Sequence, residues 1–184
     1  MRIEECHFIL PDGKEILVRS AGPNDAILVQ KHREITSAET HFMAREPEDG
    51  QMNEEGIKSA LSDMEKSERD FAVTAFFNGE VIGDLGVTSV RSLLKYRHRA
   101  YLGMSIRRAY TGMGLGNFMM KIALQQAHRN GFEQIELGVF SDNEIARHLY
   151  QKNGFMEYGI HPRAFKLKDG TYRDEIIMVN ILAD

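Results

Sequence analysis

The stretch TGMGLGNFMMKIALQQAH, residues 111–128, places glycine at three alternate positions and then changes at once to a helical pattern. The apolar residues that follow the glycines recur at intervals of three and four, which is the spacing of one buried helix face. These residues are Leu115, Phe118, Met119, Ile122 and Ala123. The Asn130-Gly131 pair behind them is a typical helix stop. The stretch therefore predicts a loop followed by a helix over about residues 114–129.

The residues before the loop predict a strand, because RAYLGMSI at 99–106 is rich in β-forming residues. A strand, a glycine loop and a helix N-terminus together present free backbone amides and a partial positive charge, which suit an anion such as pyrophosphate. Neither familiar phosphate loop fits. The last glycine of G-x-G-x-x-G would fall on Asn117 or Met119, and no lysine follows the glycines until Lys121. From the residues alone, phosphate binding and simple close packing are both open.

The rest of the chain predicts strands and helices around this centre. Turn residues between β-rich runs indicate three hairpins, at Pro11-Asp12-Gly13, Asn78-Gly79 and Asp169-Gly170. Two helices are expected at residues 23–35 and about 53–67, separated by a loop at 37–51. The run at 132–140 alternates in polarity and predicts a strand. Ser141 and Glu144 then have the spacing of a capping box, which predicts a last helix ending near Asn153.

Composition bounds the classes of protein that the chain can belong to. With 184 residues, 42% of them hydrophobic, the chain is expected to form a single domain over residues 1–184. A net charge of -4 gives no general attraction to nucleic acid, and no apolar run is long enough for a membrane span. Glu4 and Glu5 argue against a secretory signal, and the single Cys6 excludes an internal disulfide framework. These features predict a cytoplasmic protein, and the scattered histidines predict no metal site.

A second segment, SDNEIARHLYQKNGF at residues 141–155, follows the glycine loop after one helix and one strand. Together the two segments resemble the GNAT superfamily of acyl-CoA-dependent N-acyltransferases. The loop at residues 111–116 is similar to the family's [RQ]-G-x-G-x-[GA] pyrophosphate loop. The second segment is similar to N-x-x-A-x-x-L-Y-x-K-x-G-F, through Asn143, Ala146, Leu149, Tyr150, Lys152, Gly154 and Phe155. The resemblance covers residues 99–158.

The resemblance implies an α/β (α+β) fold, in which a mixed, mostly antiparallel central sheet is splayed at its middle and flanked by helices. Acetyl-CoA would lie in the splay, between the strands ending at Ile106 and Phe140. The implied cofactor-binding residues are Met104, Ser105, Ile106, Thr111, Gly112, Met113, Gly114, Leu115, Gly116, Asn143 and Ala146. Thr111 departs from the Arg or Gln that is usual in the family, so we expect Arg107 or Arg108 to supply the positive charge.

The resemblance also implies N-acetyltransferase activity, in which a primary amine attacks the acetyl group directly and Tyr150 is the catalytic acid. A phenol, with an ordinary pKa near 10 against about 8.5 for a thiol, can protonate the departing sulfur. Tyr101 stands where several members of this superfamily carry a glutamate that acts as the general base. Glu136, Asp84, Glu39 or a chain of water molecules are the alternatives for the base.

The expected acceptor is a small amine, an amino acid, a polyamine or a peptide N-terminus, bound between the loop at 37–51 and the final hairpin around residues 169–174. A homodimer is compatible with the resemblance. Two other functions are alternatives to the enzyme. One is a non-catalytic acyl-CoA-binding sensor, and the other is a nucleotide-binding domain with Glu136 as its ribose-binding acid.

Overall fold

Eight strands form one sheet, and four helices cover its two faces, in a computed structural model that describes residues 1–49 and 53–182. The strands are β1 (Cys6–Ile9), β2 (Glu15–Arg19), β3 (Phe71–Phe77), β4 (Glu80–Ser89), β5 (Arg99–Ile106), β6 (Gln134–Phe140), β7 (Met156–Lys166) and β8 (Tyr172–Ile181). The helices are α1 (Ala26–Glu39), α2 (Glu54–Lys66), α3 (Leu115–Arg129) and α4 (Glu144–Lys152). Each predicted strand and helix is present.

The sheet has the order β1-β2-β3-β4-β5-β6-β8-β7, and every neighbouring pair is antiparallel except β5 with β6. A parallel neighbour needs a crossover connection, which α3 provides. The register of β5 and β6 begins with Arg99 opposite Gln134 and stops at Tyr101 opposite Glu136, although both strands continue. A gap therefore opens between their carboxyl halves. This confirms the predicted fold class, a mixed and mostly antiparallel sheet that is splayed at its middle.

The hairpins form at the turn residues that predicted them. Asn78 and Gly79, between β3 and β4, have φ angles of 50° and 76°. Two consecutive residues with positive φ make the turn whose twist matches that of the flanking strands, and Asn-Gly is the pair that adopts it most easily. The local sequence was therefore sufficient to predict this connection.

Apolar side chains pack on both faces of the sheet. On one face, α3 contributes Met119, Met120 and Ala123 to a core that also contains Leu85 and Leu102. On the other face, α1 and α2 cover β4 at Val81 through Val29, Ile57 and Leu61. The two helix layers therefore bury apolar side chains on opposite faces of the same sheet.

Two helix boundaries differ from the prediction. The first helix continues to Glu39 rather than ending at residue 35, because the buried positions of its last turns carry polar residues that are internally bonded. Thr36, for example, is 2% exposed and donates from Oγ1 to the carbonyl of His32. The predicted capping box of the last helix is wrong. Asn143 is the N-cap of α4, and its Oδ1 accepts a hydrogen bond from the Ala146 amide, so the helix begins after Ser141.

Part of the predicted acceptor loop, residues 50 and 51, lies outside the described residues. Within residues 1–49 and 53–182, no helix combines the length and the hydropathy needed to cross a bilayer. The same residues hold no group of three His, Cys, Asp or Glu side chains arranged to bind a metal ion.

Candidate active site

The gap between β5 and β6 brings the predicted cofactor-binding residues of β5 to its edge. Met104, Ser105 and Ile106 follow the last residue that pairs with β6. The side chains of Met104 and Ile106 point toward α3, since both lie within 4 Å of the position that a Cβ of Gly116 would occupy. Ser105, between them, points to the opposite face. The backbone edge of β5 beside β6 is thus the part of this segment that faces the gap.

The glycine loop has two structural causes besides any ligand. Gly112 and Gly114 have φ angles of 72° and 87°, a region that side chains disfavour. Gly116 is different, because a Cβ there would lie 3.1 Å from Ile106 Cδ1 and 3.2 Å from Leu149 Cδ2. Close packing of α3 against β5 and α4 therefore explains this third glycine. Position 116 thus has a packing reason to be glycine, and the contact of its amide with a phosphate stays a prediction.

The start of α3 is nevertheless suited to an anion. Its N-cap is Gly114, which has no side chain that could accept hydrogen bonds from the first-turn amides. The amides of Leu115 and Gly116 belong to this turn, where the helix dipole is positive. The side chain of Leu115 is fully buried, so this position can contact a ligand only through the backbone, whereas that of Met113 is partly buried against the core.

The side chains of Thr111 and Arg107 are both hydrogen-bonded within the protein. Both the amide and the hydroxyl of Thr111 donate to the carbonyl of Arg108, at 3.2 and 2.8 Å, so neither is free for a phosphate. Arg107 is 9% exposed, and its Nη1 donates to Glu80 Oε2 at 2.9 Å. Burial beneath α1 removes it from the loop surface. Arg108 is exposed beside the loop, and it is the arginine of this pair that can supply positive charge.

Tyr150 lies on α4 and is 7% exposed, with its ring 5.8 Å from that of Phe155. Burial raises the pKa of its phenol to about 12, and the nearby Tyr101 adds to the increase. The group is therefore fully protonated at neutral pH, which is the state required of an acid. Asn143 and Ala146, at the start of the same helix, bond to each other through the N-cap.

One face of the sheet is open beside the gap. Residues that pair in register share a face, so Asp84 with Ser105, Gly86 with Gly103 and Thr88 with Tyr101 form three rows on it. Among the described residues, no heavy atom lies within 4 Å of the position that a Cβ of Gly86 or Gly103 would occupy. We call this side of β4, β5 and β6 the open face. Its bare glycine row leaves space for a ligand above the sheet.

A buried histidine borders the open face and was not predicted. His32 on α1 is 0% exposed, and its Nδ1 lies 3.2 Å from the Val81 carbonyl, to which it must donate. Its Nε2 therefore accepts from Ser105 Oγ, 2.8 Å away. The pKa of His32 lies below its ordinary value, mainly because of burial. The negative charge of Asp84 opposes this shift, and the positive charges of Arg107 and Arg33 add to it. The signal in the sequence was weak: a histidine at a buried helical position, three residues after Val29.

The alternative bases are engaged in other contacts. Glu136 is 6% exposed and receives two hydrogen bonds from Arg99, at 2.5 and 2.7 Å, which hold its pKa below the ordinary value. Asp84 accepts from Thr74 Oγ1 at 2.9 Å, and Glu39 accepts from the amide of Arg108 at 2.8 Å. These contacts give each of the three carboxylates a structural role.

The predicted loop and hairpin lie together at the end of the open face. Lys168, in the β7–β8 hairpin, forms ion pairs with Glu46 and Glu48 in the loop, at 3.2 and 2.7 Å. Below this contact, Phe140 on β6 stacks on Phe165 at 3.8 Å between ring centroids. Two further rings from the loop, those of His41 and Phe42, meet Phe140 edge to face. An aromatic cluster of these four residues therefore forms a wall of the open face.

Comparisons with known proteins agree with this geometry. The model of the acetyltransferase (GNAT) family matches residues 32–155. GCN5-related N-acetyltransferase 6, chloroplastic, from Arabidopsis thaliana is 28% identical over 118 residues, which are 63% of this chain. The chain spans 40% of the length of that relative.

Two solved structures share the fold of this chain over nearly its whole length. The acetyltransferase of the GNAT family from Streptococcus pneumoniae has a TM-score of 0.86 and 28% identity, over 90% of this chain and 99% of that one. A GNAT superfamily phosphinothricin acetyltransferase from Sinorhizobium meliloti, solved in complex with acetyl-CoA, has a TM-score of 0.79 and 18% identity, over 90% and 88%. The matched residues include the glycine loop, the gap and Tyr150, and the chain belongs to the GNAT acetyltransferase family.

Proposed function

We propose that the protein transfers the acetyl group of acetyl-CoA to a primary amine. The observation that carries the proposal is the early end of the β5–β6 pairing, which opens a gap between an anion-binding helix start and the buried phenol of Tyr150. Its backbone edges suit the amide groups of a pantetheine arm, and the first turn of α3 suits a pyrophosphate. The residues thus fit acetyl-CoA, which supplies the acetyl group as an activated thioester.

Tyr150 donates the proton that the departing sulfur takes up. Its raised pKa keeps the phenol protonated before the reaction, and its position beside Tyr101 places it near the start of the gap. The amine approaches from the other side, over the bare row of Gly86 and Gly103 on the open face. Acetyl-CoA and the amine therefore reach the gap from opposite faces of the sheet.

The open face suits an amine that is cationic in solution and carries an apolar part. Asp84 and Glu175 are carboxylates of this face, and they attract an ammonium group. The aromatic cluster beside them offers apolar and cation–π contacts. We therefore propose small amines, amino acids, polyamines and peptide N-termini as the acceptor classes.

Replacing Tyr150 with phenylalanine tests the proposal. Release of free thiol from acetyl-CoA is followed with a panel of these amines, and kcat of the variant is expected to fall by about 10²- to 10⁴-fold, the usual contribution of a positioned proton donor. The affinity for acetyl-CoA, measured by calorimetry, stays the same. Tyr96→Phe is the matched control, because its ring lies over arginines outside the gap.

The results separate the alternatives. A wild-type protein that binds acetyl-CoA but releases no thiol with any amine would favour the sensor, and one that does not bind acetyl-CoA would refute the proposal. Full activity of Tyr150→Phe would exclude Tyr150 as the acid.

A further inference from the structure

Gly138, in the middle of β6, is crossed by the side chain of Glu175. A Cβ at position 138 would lie 1.8 Å from Glu175 Oε1 and 2.7 Å from Cδ, so no other residue fits without moving the carboxylate. A glycine inside a strand weakens it and often marks a close approach of another group. Here the approaching group is a carboxylate from β8, whose residue pairs with Phe140 on the edge of β6 opposite the gap.

Gly138 also contacts Tyr101, the last residue of β5 that pairs with β6. The amide of Gly138 donates to the hydroxyl of Tyr101 at 3.1 Å. Burial raises the pKa of Tyr101, the bond from Gly138 lowers it, and the negative charge of Glu175 raises it further. The nearby Tyr101 in turn raises the pKa of Tyr150. The Tyr101 hydroxyl and the Glu175 carboxylate thus both lie at Gly138, two residues beyond the last residue of β6 that pairs with β5.

Glu175 is also the carboxylate of this region with the fewest competing contacts. Within the described part of the chain, its side-chain ion-pair partner is His161 on β7, whose Nδ1 lies 3.7 Å from Oε2. The Glu175 side chain is 22% exposed and that of His161 is 68% exposed. The carboxylate is therefore accessible to a ligand and linked to solvent, unlike the arginine-bound Glu136.

We infer that Glu175 is the general base of the acetyl transfer. The inference rests on the proposed function. The ammonium form of the acceptor first releases one proton to solvent. As the neutral amine nitrogen then forms its bond to the acetyl carbon and the carbon–sulfur bond breaks, a second N–H proton passes to the Glu175 carboxylate. The sulfur takes the phenolic proton of Tyr150. Glu175 then releases its proton to solvent past His161, and Tyr150 regains one from solvent, so the products are an amide and a thiol.

Glu175→Gln tests this role with little change in shape. The value of kcat/KM for the amine is expected to fall about 100-fold, and the affinity for acetyl-CoA to stay the same. The matched control is Glu15→Gln, since Glu15 also faces a histidine, with its Oε1 3.2 Å from His7 Nδ1, on the far edge of the sheet.

Chemical rescue separates a catalytic from a structural role. In Glu175→Ala, added formate should restore part of the lost activity, because a small carboxylate fits the space that the side chain leaves. A Glu175→Gln protein within threefold of wild-type activity would overturn the inference while leaving the proposed function intact. Wild-type inactivity with every amine would overturn both.

A measurement without turnover tests the geometry. Gly138→Ala should move the Glu175 carboxylate, because the new methyl group takes its place. The atoms that must move are the end of a flexible side chain, so a crystal structure of the variant should show a rotated Glu175 on an unchanged β6. A Glu175 side chain in the same position in wild type and variant would show that it does not lie over Gly138, and it would overturn the inference independently of activity.

Discussion

Replacing Glu136 with glutamine tests the ion pair where β5 and β6 are last joined. Arg99 donates from Nε and Nη2 to the two carboxylate oxygens, and Gln134 donates a third hydrogen bond at 2.8 Å. Glutamine has nearly the same size, but it has no charge and its amide nitrogen cannot accept. Glu136→Gln therefore leaves one donor of Arg99 without its acceptor, at the buried position of residue 136.

The size of the effect follows from these contacts. A hydrogen bond to a charged group contributes about 1.5–3 kcal/mol, and Arg99, 30% exposed, can recover part of it from water. We expect the free energy of unfolding to fall by about 2 kcal/mol at pH 7. For a chain of this length, that loss corresponds to roughly 4–8 °C in Tm.

The pH dependence has a definite sign. The hydrogen bonds from Arg99 lower the pKa of Glu136, against burial, which raises it. A group whose pKa is lowered by folding stabilises the protein above its ordinary pKa, and that contribution is lost as the pH falls through the folded pKa. The difference between wild type and Glu136→Gln should therefore shrink as the solution becomes acidic.

Chemical denaturation at pH 7 and at a series of lower pH values measures both effects. Glu157→Gln is the control, because Glu157 also accepts two hydrogen bonds from an arginine, Arg147, but at the surface. Its loss should stay below about 0.5 kcal/mol. A loss this small for Glu136→Gln, or one that persists unchanged at acid pH, would refute the reasoning.

Two further substitutions test the N-cap of α4 and the glycine loop before α3. Asn143→Ala removes the N-cap of α4 and should cost about 1 kcal/mol in chemical denaturation; a loss no larger than that of Ser141→Ala would show that Asn143 is not the cap. Gly112→Ala places a side chain at a φ of 72°, which should cost about 1 kcal/mol and raise KM for acetyl-CoA but not for the amine. Unchanged stability would mean that the turn relaxes.

The elements that local sequence specifies could be predicted well. Turn pairs such as Asn78-Gly79 determine backbone conformation within a few residues, and the spacing of apolar residues after Gly114 specifies α3. The end of α1 could not be predicted in this way, because buried polar residues such as Thr36 interrupt the apolar pattern although the helix continues. Their hydrogen bonds are visible only in the folded chain.

The candidate site was located in the sequence through its resemblance to a family rather than through periodicity, and the roles of its residues stay predictions. The contact of His32 with Ser105 joins residues 73 positions apart, and no local pattern encodes such a distance. Gly138 did carry a signal, since a glycine in an alternating strand indicates a close neighbour, but the sequence does not say that the neighbour is Glu175. Contacts across the sheet depend on strand order, which local propensities leave undetermined.

The gap between β5 and β6 has a consequence for how this protein can diversify. It is a break in the backbone pairing of β5 and β6, which the crossover through α3 makes parallel neighbours. The wall of the open face, by contrast, is built from side chains such as Phe42 and Phe165, in segments distant in sequence. Selection or engineering can therefore exchange one amine for another at these positions while the donor half of the protein is inherited unchanged.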